Sequence, residues 1–246
     1  MIKLGYSLGQ KKPKYSLKER IEILLSVENY AVEVSYIVAG RLDEKLDTDD
    51  IKKIKQFDYI SIHAPALTTE DPKVWLRYPS AEGKAVIEDL LKIAKDINAN
   101  TILFHPDLVD DFKWLNDKVG NLLAFENMDV HKSFGKTVED LKSIFKQAPQ
   151  AKWVCDVNHL YTIDQSMELA EEFHKNFQNK LCHYHLSGYG GFHEALHISQ
   201  EDIILKGIKD FSIPIINEGS ALRDGKTSLL KENDYILDRL KQKFGH

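Results

Sequence analysis

AEGKAVIEDLLKIAKDINANTILFHPD, residues 81–107, decides how the rest of the chain is read. Its first part spaces Ile87, Leu90, Leu91 and Ala94 by three, four and seven residues, which gives a helix one apolar face. A short β-rich run, TILF, follows and ends in His105. The same alternation extends in both directions. β-rich runs recur as IKLGYS, AVEVSYI, YISIHAP, TILFHP, LLAFEN, AKWVCDV, KLCHYHLS and IPIINEG. Amphipathic segments such as SLKERIEILLSVEN, TVEDLKSIFKQ and SMELAEEFHKNF lie between most of them. Ser16 and Thr137 stand where N-caps belong, the latter with Asp140 three residues on. Strand–helix alternation predicts parallel βαβ units. Eight units in 246 residues predict an α/β fold with a single (β/α)8 barrel over residues 1–246. No linker divides it, and no glycine-rich phosphate loop favours the competing open, doubly wound sheet.

Bulk composition narrows the function classes. The chain is 43% hydrophobic and 29% charged, as a globular chain with a sizeable core should be. A formal net charge of −5 argues against a generally basic coat for nucleic acid, though a local basic patch is compatible with it. MIKLGYSLG reads directly as strand and turn rather than as a signal peptide, and no apolar run reaches the roughly 20 residues that cross a bilayer. Cys155 and Cys182 are too few and too far apart for a disulfide framework or a CxxC zinc site, which points to a reducing cytoplasm. Strand alternation turns both thiols away from the barrel interior, toward the helices.

The chemistry gathers where strands end. His63, His105, Glu126, Asp156, His185 and Glu218 terminate strands three to eight. Ser61, Leu103, Ala124, Val154, His183 and Ile216, two residues earlier, share their face and are mostly apolar or small. Six metal-competent side chains therefore crown the C-terminal mouth, where barrels of this type carry their active sites. Carboxylates crowded together repel unless a cation neutralises them. The histidine content favours zinc, or manganese, over magnesium. His159 lies three residues beyond Asp156 on the same mouth, while His183 faces inward one layer below His185.

SIHAP, LFHPD, LAFEN, DVNH, HYHLS and NEGS, in this order and spacing, resemble the xylose isomerase-like TIM barrels, a superfamily that includes endonuclease IV and many sugar isomerases and epimerases. The resemblance runs from the first strand to Glu218 and implies metal ligands at Glu126, Asp156, His185 and Glu218. In the endonuclease IV branch, positions matching His63 and His105 complete a second metal, with Glu126 bridging. A third metal there uses positions matching His159 and a D-x-H pair; this chain supplies His193 but has Gly191 in place of the aspartate. Sugar epimerases of the superfamily carry a glutamate and an arginine where this chain has Lys132 and Gly191.

Two loops suggest substrate contacts. GQKKPKYS, after the first strand, sets Lys11, Lys12 and Lys14 beside Tyr15, a combination that grips phosphate and stacks a base, or is simply solvated. The long loop after the third strand carries Trp75, Arg77 and Tyr78. The leading expectation is endonuclease IV-like, two-metal hydrolysis of phosphate esters, damaged DNA among them. The alternative is a single-metal sugar or sugar-phosphate isomerase in which Glu126 and Glu218 move the proton. A non-catalytic metal-binding barrel is the third. None requires an organic cofactor or a membrane.

Overall fold

A computed structural model describes residues 2–9, 14–36, 38–39, 46–70, 72–190 and 193–244. Eight parallel strands close into a barrel: β1 (Leu4–Ser7), β2 (Ala31–Ser35), β3 (Tyr59–His63), β4 (Thr101–Phe104), β5 (Leu123–Glu126), β6 (Lys152–Asp156), β7 (Leu181–Leu186) and β8 (Ile215–Asn217). Each strand pairs with its neighbours in the chain, and β8 closes the ring against β1. The helices are α1 (Leu17–Leu25), α2 (Thr48–Ile54), α3 (Ala81–Ile97), α4 (Phe112–Val119), α5 (Val138–Gln147), α6 (Val157–Ile163), α7 (Glu168–Phe177), α8 (Leu196–Ser199) and α9 (Lys226–Phe244). Among the described residues, no helix is long and apolar enough to cross a membrane.

Local sequence explains the elements. Ser16 and Thr137 cap α1 and α5, each in a reciprocal capping box with Glu19 or Asp140. α3 buries Ile87, Leu90 and Ala94 as the spacing predicts, and stops at Asn98, whose φ of 58° is left-handed. On β1, a Cβ at Gly5 would lie 2.0 Å from the carbonyl oxygen of Ala31, so glycine is what lets β1 and β2 approach.

The inward-facing layer Ser61, Leu103, Ala124, Val154, His183 and Ile216 is fully buried. Leu103, Ala124 and Val154 form a small core of their own, separate from the large core under the helices. One step further toward the mouth stand the polar strand ends; His105 and Glu218 fall one residue past β4 and β8. After β3, a short antiparallel hairpin (Leu67–Thr69 with Val74–Trp75) precedes α3.

One expectation is corrected. Cys155 is buried toward α7, its sulfur 3.9 Å from His174 Nε2, as strand alternation requires. Cys182 is not turned outward. The β6–β7 register shifts between Trp153 and Val154, so Cys182 becomes an extra residue and packs against the inner Leu103/Ala124/Val154 core. Its sulfur donates to the Trp153 carbonyl at 3.1 Å, and burial pushes the thiol up to about 11.

Candidate metal centre

The strand-end side chains converge in two groups joined by one carboxylate. His63 Nε2 and His105 Nε2 are 3.1 Å apart. Oε1 of Glu126 lies 2.8 Å from His105 Nε2 and 4.0 Å from His63 Nε2. Its other oxygen, Oε2, faces His185 Nδ1 at 3.3 Å. The same nitrogen is 3.3 Å from Glu218 Oε2 and 4.0 Å from Asp156 Oδ2. Glu126 thus belongs both to the His63/His105 group and to the Asp156/His185/Glu218 group.

Burial makes this arrangement costly without a ligand. Glu126, Asp156 and His185 are all 1% exposed or less. Both oxygens of Glu126, Nδ1 of His185 and Nδ1 of His105 find no well-oriented hydrogen-bond partner among the described residues. Unsatisfied buried groups of this kind are rare unless something binds there. His63, His105 and Glu126, and likewise Glu126, Asp156 and His185, bring one ligand atom each within 4.8 Å of the others, spacing that fits a divalent ion at about 2.0–2.2 Å from each; Glu33, His183 and His185 do the same one layer below. His63 is already oriented: its Nδ1 donates to the Ala64 carbonyl at 2.9 Å, leaving Nε2 bare toward Glu126.

Protons are distributed unevenly over the cluster's own side chains. Burial opposes charge throughout, yet His105 and His185 hold the Glu126 carboxyl well below its ordinary range. Burial, with repulsion from Glu126 and Glu218, pushes Asp156 up. Burial lowers His105, whereas Glu218 and Glu33 outweigh burial and hold His185 well above the usual imidazole range.

His159 joins the same rim. Its backbone N–H donates to Asp156 Oδ1 at 2.8 Å, so Asp156 also caps α6. Its Nδ1 donates to the Asn127 carbonyl at 2.9 Å. Asp156 and Glu126 overcome burial and hold the imidazole at about 9. The His193 ring stands edge-on to it, centroids 6.1 Å apart, with Nδ1 2.9 Å from Ser187 Oγ. Gly191 lies outside the described residues.

The expected substrate contacts are placed less uniformly. Lys11 and Lys12 lie outside the described residues. Lys14 is exposed and pairs with Asp224 at 3.4 Å; Tyr15 lies against Gly225. Trp75 is 43% exposed, with Lys73 and Lys132 over its ring at 4.2 and 4.5 Å. Lys132 is ion-paired with Asp107 at 3.0 Å and close enough to His105 to disfavour its charge. Arg77 is exposed but already engaged within the chain, bonded to the Asp110 carboxylate and, at 2.6 Å, to the Asp107 carbonyl.

Two residues escaped the strand-end reading. Glu33, in the middle of β2, is fully buried and reaches His185 Nε2 at 3.1 Å. A carboxylate inside AVEVS, on the inward-facing alternate position, is the signal that would have found it. Asn127 steadies Asp156 from both sides, donating to its carbonyl at 2.8 Å and accepting from its N–H at 3.1 Å.

No protein-family model matches the sequence, and no curated protein matches it. Solved structures do. A zinc-bound IolI protein superposes with a TM-score of 0.68 at 11% identity, covering 98% of this chain and 99% of that one. Endonuclease IV from Thermus thermophilus gives 0.64 at 14% identity, covering 98% and 99%. A D-tagatose 3-epimerase-like protein gives 0.62 at 17% identity, covering 98% and 97%. These are xylose isomerase-like TIM barrels, and at such identities they establish that fold for the chain and no particular activity.

Proposed function

We propose that the chain is a metal-dependent hydrolase of phosphate esters, with abasic-site DNA as the candidate substrate. The observation that carries this reading is Glu126, whose two oxygens face two different ligand groups. His63 and His105 would hold one ion, and Asp156, His185 and Glu218 the other, with Glu126 between them. His159 and His193 stand beside them and would be two ligands of a further ion, in a site that lacks its aspartate because Gly191 stands there. The mixed imidazole and carboxylate donors suit zinc, with manganese the alternative. Bound there, divalent ions would lower the pKa of a water and offset charge on a phosphate ester. The chain's own residues do the rest. Asn127 fixes Asp156, the Ala64 backbone carbonyl fixes the His63 ring, and Lys132, held by Asp107 and lying over Trp75, would bring positive charge toward a phosphate at the rim.

A second reading has its own support. Glu126 Oε2 and Glu218 Oε2 are each 3.3 Å from His185 Nδ1, so two carboxylates flank one ligand position. That is the arrangement a single-metal sugar or sugar-phosphate isomerase needs to take a proton from one carbon and return it to the next.

His63→Ala and His105→Ala separate the two. Each variant should lose one equivalent of metal by elemental analysis and most of its turnover on phosphodiesters. Turnover on sugars should persist if the isomerase reading holds. Phosphodiesterase activity that survives either substitution eliminates the two-ion scheme.

A further inference from the structure

The His185 ring spans two layers of the barrel. Its Nδ1 looks up at Glu126, Glu218 and Asp156, while Nε2 looks down at Glu33 Oε2, 3.1 Å away, and at His183 Nε2, 3.2 Å away. Glu33, Ser61, His183 and His185 are all fully buried, so no bulk water can substitute for a missing partner. We propose that Glu33 and His183 form a clamp beneath the metal centre that keeps the proton of His185 on Nε2, so that Nδ1 is the nitrogen that binds metal. The proposal rests on the metal-centre reading above, whichever reaction that centre serves.

Donor and acceptor counting fixes the arrangement. A carboxylate only accepts: Glu33 Oε2 already takes the Ser61 hydroxyl at 2.7 Å and needs a second donor, which His185 Nε2–H supplies. His183 Nε2 faces the same N–H at 3.2 Å, so it must be bare. His183 then carries its proton on Nδ1 and donates to the Tyr59 hydroxyl at 2.9 Å, which in turn donates to Thr101 Oγ1 at 3.3 Å. The opposite His183 tautomer would set two N–H groups against each other. One chain of hydrogen bonds, Thr101–Tyr59–His183–His185–Glu33–Ser61, therefore pairs a donor with an acceptor at every link and leaves His185 Nδ1, not Nε2, as the nitrogen that can turn to a metal; Glu33 Oε1 stays without a hydrogen-bond partner among the described residues. Glu33 is a positioning residue here, acting on the metal only through the imidazole. Such outer carboxylates orient the ring and raise its basicity.

The test uses the zinc-loaded full chain. With ¹⁵N-labelled histidine, NMR of the parent protein should show His185 with a slowly exchanging proton on Nε2 and none on Nδ1. Glu33→Gln should lower zinc affinity about 10- to 100-fold in competition with a chromophoric chelator, the range such outer partners command. It should leave the number of bound equivalents unchanged and speed exchange of the Nε2 proton. A His185 bound through Nε2 in the parent overturns the proposal without any variant being needed. So does unchanged affinity in Glu33→Gln, and so does loss of a whole equivalent, which would make Glu33 a ligand. A parent protein that binds no zinc removes the metal centre and the clamp together. Zinc binding without phosphodiesterase activity removes only the hydrolase reading.

Discussion

Two glutamates, Glu126 and Glu232, are equally hidden from water and each sits beside histidine, yet the fold treats them differently. Glu232, on α9, accepts four hydrogen bonds. Oε1 takes the backbone N–H of Leu196 at 2.8 Å and Asn217 Nδ2 at 2.9 Å. Oε2 takes the backbone N–H of His197 at 2.8 Å and its Nδ1 at 2.6 Å. Glu126, at the rim, accepts no well-oriented hydrogen bond among the described residues. A buried carboxylate that serves the fold is surrounded by donors. One surrounded by other metal-competent atoms lacks those donors, and a bound cation is what would satisfy it. The contrast also divides the histidines of residues 180–199: His197 ties the loop after β7 to the last helix, while His185 faces the rim cluster.

The largest effect is expected where the unsatisfied carboxylate is removed. Glu126→Gln should reduce metal content to background and abolish turnover on phosphodiester and sugar panels alike, because both ligand groups share that residue. Full metal retention in this variant would erase the distinction between the two glutamates.

Glu232→Ala should act on the other side of the comparison. Truncating the glutamate leaves the Leu196 and Asn217 donors without their buried acceptor, at roughly 1–3 kcal/mol for each, read by urea unfolding in the presence of chelator. Metal affinity of the folded fraction should not change. A loss under about 1 kcal/mol, the usual net value of a single hydrogen bond, would mean the four bonds do not hold that corner.

Chelation comes next. At free metal a hundred times Kd, binding contributes about 2.7 kcal/mol. For a chain of this length that corresponds to about 5–10 °C in Tm, measured by calorimetry with and without chelator. The shift should vanish in Glu126→Gln, and an equal shift in both proteins would place the stabilising ion elsewhere.

The smallest effect concerns a histidine wholly on the fold's side. His174 Nε2 donates to the Gly207 carbonyl at 2.9 Å, and burial holds the imidazole below its ordinary range. The unfolded chain accepts a proton that the fold refuses, so stability is lost as pH falls below about 6.5, by at most about 1.4 kcal/mol per pH unit. His174→Gln should flatten that slope in chelator-treated protein; an unchanged slope would assign the acid sensitivity to other groups.

The barrel was legible because strand and helix periods differ and repeat in order, as in residues 81–107. The convergence of His63, His105, Glu126, Asp156, His185 and Glu218 followed from where strands end, since a closed parallel barrel brings those ends to one rim. What was not legible depends on contacts that sequence spacing does not carry. The partner of His197 lies thirty-five residues away on another helix. The turn of Cys182 into the interior comes from a register shift, which breaks the two-residue period on which its outward placement relied. Glu33 sits mid-strand, where a rule about strand ends does not look.

Strand order around this barrel is also strand order along the chain, so walking the rim is walking the sequence. Glu126 falls near the midpoint of 246 residues, with His63 and His105 before it and Asp156, His185 and Glu218 after it. The two ligand groups are therefore encoded in separate halves that meet at one codon. Edits confined to the first half can delete or restore its pair of imidazoles while every later ligand keeps its place. If the two groups hold metal as proposed, two side chains are what separates a one-ion from a two-ion site on this scaffold.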